Sequence, residues 1–242
     1  MELLYHYTKP KTAIKILTSH QFKFGHLHNT NDPFEKLINR YSHSDFQDKE
    51  PEVEDYMMKL VAYMNENIAV GCFGTGNNMI RGDEKWTMWA HYANKHLCVC
   101  LVFDKKKFLE NVKTNSLDPL SQLIDYKKTF RLDPILFKQY INESFETFLR
   151  RFQTPMLFTK HEDWFVENEF RIVVFEREFS VSIANCINCV MLGPEISPEY
   201  SNDIKEIVKQ KFQALTVGDL QYNSNRYIRS LNLYLSDMLT IQ

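Results

Sequence analysis

The sequence predicts an α+β fold, and three observations carry that reading. Apolar residues repeat at helical spacing in some segments and form short β-like runs in others. The two kinds of segment do not follow the strict strand–helix alternation of a doubly wound sheet. Apolar residues make up 44% of the 242 positions and recur along the whole chain, 14% of it aromatic, which is enough to build a sizeable core.

The elements follow in order. Leu3 to Tyr7 reads as a strand, with Thr8 as N-cap and Pro10 in the first turn of a helix that carries Ala13, Ile14 and Leu17 on one face and ends near His20. Phe22 to Phe24 is a second short strand. Asn29 to Pro33 (NTNDP) is a cluster of turn formers, and Asn-Asp-Pro opens another helix. Glu52 to Asn65 is helical, because Tyr56, Leu60, Val61 and Met64 keep one face apolar. Ile68 to Phe73 is a strand, Gly74 to Asp83 a polar loop, and Trp86 to Ala93 a short helix with Trp86, Trp89 and Ala90 on one side. Leu97 to Phe103 is almost continuously apolar, which predicts a central strand covered on both faces.

Pro134 to Phe152 predicts a single helix with Phe137, Ile141, Phe145, Phe148 and Phe152 on a core-facing stripe. Phe170 to Phe175 and Val190 to Leu192 are strands, Gly193-Pro194 is a turn, and Pro198 to Phe212 is a helix. Leu215 to Val217 and Tyr227 to Leu235 close the chain as strands. With 7 Gly and 8 Pro there is no long flexible linker, so residues 1–242 read as one domain with a mainly helical insertion around 105–162.

A formal net charge of −2 gives no global signature for nucleic acid. Lys105 to Lys160 is enriched in Lys and Arg and Asp45 to Asp55 is acidic; both read first as solvated surface. Of the five cysteines, Cys72, Cys98, Cys100 and Cys189 lie in apolar surroundings and read as small buried hydrophobes. Cys186 and Cys189 have metal-ligand spacing, but no second Cys/His pair stands in register with them, and no metal is expected. The sequence shows no disulfide framework, no signal peptide, and no apolar run of the roughly 20 residues that a bilayer span needs. The expectation is a cytoplasmic protein that does not engage membranes.

Glycine-rich phosphate loops, a GxSxG elbow and HExxH are all missing, which lowers the weight of the common nucleotide and hydrolase folds. What remains is a set of polar residues inside apolar elements. His6 sits between bulky strand neighbours and needs a hydrogen-bond partner if buried; taken alone, it reads as a structural histidine. Glu167, Glu169 and Arg171 are spaced i, i+2, i+4, so a strand starting there would put all three on one face. Two carboxylates side by side would hold one proton at raised pKa, and Arg171 would relieve their repulsion. The competing reading is an exposed ion-pair ladder at a strand end. Trp89 and Tyr92 share a helix face, for a ligand or for simple packing.

In this order, LYHYT (Leu4 to Thr8), Ile16-Leu17, NDPFE (Asn31 to Glu35), GCFG (Gly71 to Gly74), MWAHYA (Met88 to Ala93) and WFVENEFR (Trp164 to Arg171) resemble a bacterial family known as a domain of unknown function. That family in turn looks like a distant relative of the His-Tyr-Glu class of ADP-ribosyltransferases. The resemblance implies a mixed, mainly antiparallel split sheet with surrounding helices. It also implies NAD as substrate and a macromolecular acceptor, protein or nucleic acid, for an effector of toxin or antiphage type that a neutralising partner would restrain. Carried over, Glu169 binds the ribose 2′-hydroxyl, Glu167 orients the acceptor, and His6 hydrogen-bonds a ribose of NAD. Tyr7, Thr8, Trp89, Tyr92 and Arg171 complete the cofactor site, Tyr92 stacking on nicotinamide, with Tyr5, Tyr7 and Tyr126 as alternatives for that ring. Asn31 and Asp32 fall to the acceptor or to a structural turn. A carboxylate suits the chemistry, because breaking the bond to nicotinamide builds oxocarbenium character on the ribose. Two other functions stay open: a nucleotide-binding or sensing module without turnover, and a metal-dependent hydrolase built on His6, Asp32 and the two glutamates.

Overall fold

A computed structural model describes residues 2–30, 32, 51–76, 82–92, 97–128, 134–223 and 226–233. The chain begins with β1 (Leu3–Thr8), α1 (Pro10–Ser19), β2 (Gln21–Lys23), β3 (Gly25–His26) and a 3-10 turn at Leu27–Asn29, and continues with α2 (Pro51–Asn67) and β4 (Ala69–Thr75). A second 3-10 turn (Gly82–Glu84) leads into α3 (Trp86–Tyr92), β5 (Val99–Asp104), α4 (Lys105–Asn115), β6 (Leu120–Leu123) and β7 (Asp125–Lys127). Then come α5 (Pro134–Tyr140), α6 (Phe145–Arg151), α7 (Gln153–Leu157), β8 (Thr159–His161), a 3-10 segment (Glu162–Glu167) and β9 (Glu169–Val174). The last elements are β10 (Ser180–Ser182), β11 (Ile187–Leu192), α8 (Pro198–Lys211), β12 (Thr216–Asn223) and β13 (Arg226–Leu233). The fold is mixed α+β and mostly antiparallel; among the described residues only β11 with β12 and β7 with β8 pair in parallel.

Two compact units divide the chain. The first comprises residues 1–23, 73–115 and 180–242. Its strands run β13-β12-β11-β5-β1, and β1 also pairs with the end of β4 through Leu4 with Thr75 and Tyr5 with Gly74. As its composition requires, β5 is central: Val99 to Phe103 are all buried, between β1 on one side and β11 on the other. The parallel step from β11 to β12 needs a crossover, which α8 supplies, and α1 packs against α8. Alternate residues of β5 serve opposite faces. Cys100 and Val102 join Tyr5, Tyr7, Trp89 and Met191 in one cluster, while Phe103 meets Phe22, Phe73 and Phe108.

The second unit comprises residues 24–72 and 116–179. Here β3 pairs with the start of β4, β6 with β9 and β7 with β8. Its core joins Tyr56, Leu60 and Met64 of α2 to Phe137, Phe148, Leu157 and Val173.

Several expectations are corrected. The N-cap of α1 is Lys9 rather than Thr8, which is buried at the end of β1. The helix expected over 134–152 is broken at residues 141–144, where Ser144 accepts a hydrogen bond from the Thr147 amide and starts α6 afresh. Asn142 and Ser144 are residues whose side chains compete for backbone groups and so favour turns and caps. The phenylalanine stripe is still core: Phe137 and Phe148 are fully buried, and Ile141, Phe145 and Phe152 pack against them. In α3, Trp89 is buried, whereas Trp86 is half exposed and Ala90 exposed, so these three do not share a covered side. The helix expected to open at Asn-Asp-Pro lies outside the described residues.

Gly82 is a packing requirement. A Cβ there would stand 2.1 Å from the ring of Tyr5, which is buried. Gly82→Ala should therefore lower stability by about 1–3 kcal/mol, as overpacking does, visible as a fall in thermal midpoint. An unchanged midpoint would show that Tyr5 has room to move.

Candidate functional site

Four charged side chains are buried together in the second unit: Lys160, Glu167, Glu169 and Arg171, each no more than 3% exposed. They come from adjoining pieces of chain. Lys160 is the middle residue of β8, which the Tyr126–Lys160 register ties to β7. Glu167 ends the 3-10 segment, Asn168 turns the backbone with φ 45°, and Glu169 opens β9. Along β9, Glu169 and Arg171 share a face with the core residue Val173, while Phe170, Ile172 and Val174 take the other.

Lys160 bridges the two glutamates, its Nζ lying 2.8 Å from Glu167 Oε2 and 2.7 Å from Glu169 Oε2. Arg171 Nε donates to Glu169 Oε1 at 2.7 Å, and its Nη1 donates to the Leu157 carbonyl at 2.8 Å. The Glu169 amide donates to the Tyr126 hydroxyl at 2.9 Å, and the Trp164 ring lies 5.7 Å from Lys160 Nζ. Two cations thus meet two anions. Burial pushes the Glu169 carboxyl up, but the charges of Arg171 and Lys160 and their hydrogen bonds outweigh it, leaving its pKa well below the ordinary carboxylate range. Burial also pushes the Tyr126 phenol up, which keeps it protonated.

This arrangement overturns one expectation and narrows another. Glu167, Glu169 and Arg171 do not form a continuous strand ladder, because the left-handed Asn168 sets a corner between the glutamates. Glu169 is not where a shared proton would sit, because the charges of Arg171 and Lys160 and their hydrogen bonds outweigh its burial. Lys160 was missed in the sequence, as were Trp164 and the contact of Tyr126 with Glu169. The available signal was a lysine at the end of the apolar run Met156-Leu157-Phe158.

Other candidate residues lie in the first unit. His6 is half-buried on β1, with the ring of Phe22 at 4.7 Å edge-on and that of Phe73 at 5.9 Å. The Tyr7 hydroxyl donates to the Gly82 carbonyl, and Trp89 Nε1 donates to the Asp83 carbonyl at 2.9 Å. Burial raises the Tyr7 pKa, helped by Cys100 and Asp83, so the hydroxyl remains a donor. Tyr7 and Trp89 meet edge to face at 5.1 Å, and the half-buried Tyr92 packs against the same cluster. Of the alternative tyrosines, Tyr5 covers Gly82. Asp32, which belongs to the second unit, is buried, and Asn31 lies outside the described residues. Cys98, Cys100, Cys186 and Cys189 are buried free thiols and Cys72 is partly covered, consistent with a packing role. Among the described residues there is no group of three or more His, Cys, Asp or Glu that could hold a metal ion, and no helix long and apolar enough to cross a membrane.

Residues 88–172, about a third of the chain, match a family model described as "Protein of unknown function (DUF2971)". The matched stretch contains MWAHYA, WFVENEFR and the whole buried charge cluster, whereas LYHYT, NDPFE and GCFG lie outside it. No curated protein and no solved structure matches the chain.

The cluster makes a stability prediction with a definite sign. A carboxylate whose folded pKa is depressed contributes stability that is fully present above its unfolded value, roughly 4.3. That contribution is lost as pH falls through the folded value. Wild-type stability should therefore drop in acid below about pH 4, and Glu169→Gln should flatten that limb. Lys160→Met removes the shared cation and should cost about 3–5 kcal/mol at neutral pH, as breaking a buried ion pair does. Chemical denaturation of both variants across pH measures these effects.

Proposed function

We propose that the protein is an NAD-dependent ADP-ribosyltransferase acting on a macromolecule, protein or nucleic acid, with a split-sheet fold of that class. The reading rests on the resemblance set out above, and one observation carries it further: the Glu169 carboxylate is held ionised at a fixed position by Lys160 and Arg171. Cleavage of the nicotinamide bond leaves positive charge on the ribose, and a preorganised anion stabilises that charge without reorganising. In this reading Glu169 addresses the ribose 2′-hydroxyl and Glu167 orients the acceptor.

A second reading has its own observation. Both oxygens of Glu169 are already bonded, one to Arg171 and one to Lys160, in a cluster almost closed to solvent. That weighs against direct contact of Glu169 with a ribose and leaves open a module that would hold a nucleotide elsewhere without turning it over. In the metal-dependent hydrolase reading, a metal at the two glutamates would have to displace Lys160 and Arg171, which pair with them.

Incubation with labelled NAD and a cell lysate tests these readings. A transferase should release nicotinamide and label an acceptor, and Glu169→Gln should lower both at least about 100-fold while the variant stays folded, the size of effect expected for a transition-state electrostatic contact. A binding module should show NAD-dependent thermal stabilisation that survives Glu169→Gln. If NAD causes no release, no labelling and no stabilisation, the transferase proposal fails.

A further inference from the structure

The buried charge cluster is shut as it stands. Lys160, Glu167, Glu169 and Arg171 are all buried, and both oxygens of Glu169 are engaged, Oε1 by Arg171 and Oε2 by Lys160. The four side chains nevertheless belong to two different pieces of the second unit. Glu169 and Arg171 sit on β9, which pairs with β6 from Phe170 to Val173, and the Leu157 carbonyl holds Arg171 from behind. Lys160 and Glu167 both belong to residues 159–167, which comprise β8 and the 3-10 segment.

That stretch has bonds of its own. Lys160 Nζ pairs with Glu167 Oε2 at 2.8 Å and lies 5.7 Å from the Trp164 ring, and the Asp163 amide donates to His161 Nδ1 at 3.4 Å. Its ties to the rest of the unit include the pairing of β8 with β7 in a sheet of two strands, and the bond of Thr159 Oγ1 to the Thr154 carbonyl at 2.8 Å. None of its apolar side chains is buried: Trp164 and Val166 are half-buried and Phe165 is 65% exposed. Phe158 and Phe170 on either side are core residues, so movement of the stretch between them gives up little apolar contact. The six-residue 3-10 run is longer than the usual run of about three or four, in a geometry with poorer hydrogen bonds. It ends at Asn168, whose left-handed backbone makes a single-residue corner.

We propose that residues 159–167 form a flap that opens as one body about Phe158 and Asn168, taking Lys160 and Glu167 away together and uncovering Oε2 of Glu169. Charge decides which contacts break. If Lys160 moved without Glu167, a buried carboxylate would lose its partner, which is strongly destabilising. A flap that carries both leaves as a lysine–glutamate pair, and what stays behind is a glutamate–arginine pair, each without net charge. Of the pairs Lys160–Glu167, Lys160–Glu169 and Arg171–Glu169, the opening breaks the second. Hinges of lids are typically a few residues at the ends of elements, as Phe158 and Asn168 are. Elements with little buried apolar surface open locally, well short of global unfolding. The opened site offers a ligand one oxygen of Glu169 while Arg171 steadies the other. What occupies that oxygen rests on the transferase reading, in which it is the ribose 2′-hydroxyl.

Acetylation of lysines in the whole protein, read at Lys160 by mass spectrometry, tests the flap. The exposed Lys59 serves as the reference for reagent reactivity, and denaturant titration in the same buffer gives the global unfolding equilibrium. The expected result is acetylation of Lys160 at least about tenfold faster than global unfolding allows, with little dependence on low denaturant. Thr159→Val removes a tie of the flap, while the Thr154 carbonyl keeps the Phe158 amide as partner, and the Lys160 rate should rise about threefold. Leu60→Ala, a core change on α2, lowers global stability but should leave the Lys160 rate within about twofold of wild type. Saturating NAD should hold the flap open and raise the rate at least about fivefold. The flap is overturned if the Lys160 rate follows global unfolding in the wild type and rises in Leu60→Ala in step with lost stability. NAD turnover alongside that result would leave the transferase reading standing without the flap. Local opening that NAD does not change would keep the flap and remove NAD as its ligand.

Discussion

The second unit is organised around the need to keep four full charges out of water. Each ion withdrawn from solvent costs several kcal/mol, which is recovered only when geometry and hydrogen bonds are both good. Lys160 meets this condition by reaching two carboxylates at once, and Arg171 meets it by using one edge on Glu169 and another on the Leu157 carbonyl. That accounting is what allows β9 to be buried along its whole length although it begins Glu-Phe-Arg. It also ties together β7, β8, the 3-10 segment and β9, pieces of chain too short to be stable singly.

The first unit solves a different problem with neutral groups. Its sheet is covered by apolar and aromatic side chains, and the polar tips of Tyr7 and Trp89 are given to carbonyls of the turn at Gly82 and Asp83. The turn in turn accepts the Tyr5 ring against a residue with no side chain. On β1, His6 lies among Phe22 and Phe73, and the polar Thr8 is buried at the strand's end.

What could be read from the sequence follows from the range of the forces involved. The period-2 and period-3.6 patterns located β1, α1, α2, β4, β5 and α8 to within a few residues, because burial of one face is a local requirement. The apolar run at Val99 to Phe103 even gave the position of β5 in its sheet. The break at Asn142 to Ser144 was hidden because the phenylalanine stripe keeps helical spacing across it, and only the capping bond of Ser144 ends the ambiguity. Among the site residues, Glu167, Glu169 and Arg171 announced themselves as charges in an apolar strand. Lys160 did not, since a lysine near His161, Glu162 and Asp163 looks like surface until β8 is paired. Which way the Glu169 carboxyl shifts was equally hidden, since Lys160, nine residues away, joins Arg171 in setting it.

The corner between the two glutamates depends on the residue that makes it, Asn168. With φ 45° and ψ 55° it occupies a conformation that asparagine, aspartate and glycine tolerate and β-branched residues do not. The string Glu-x-Glu therefore describes two different objects. With valine or isoleucine in the middle it is a straight segment whose two acids project the same way. With asparagine it is a corner, and its acids approach a single lysine from two directions. Relatives of this chain should be sorted by that middle letter first, since it decides whether a shared Glu-x-Glu implies a shared geometry at all.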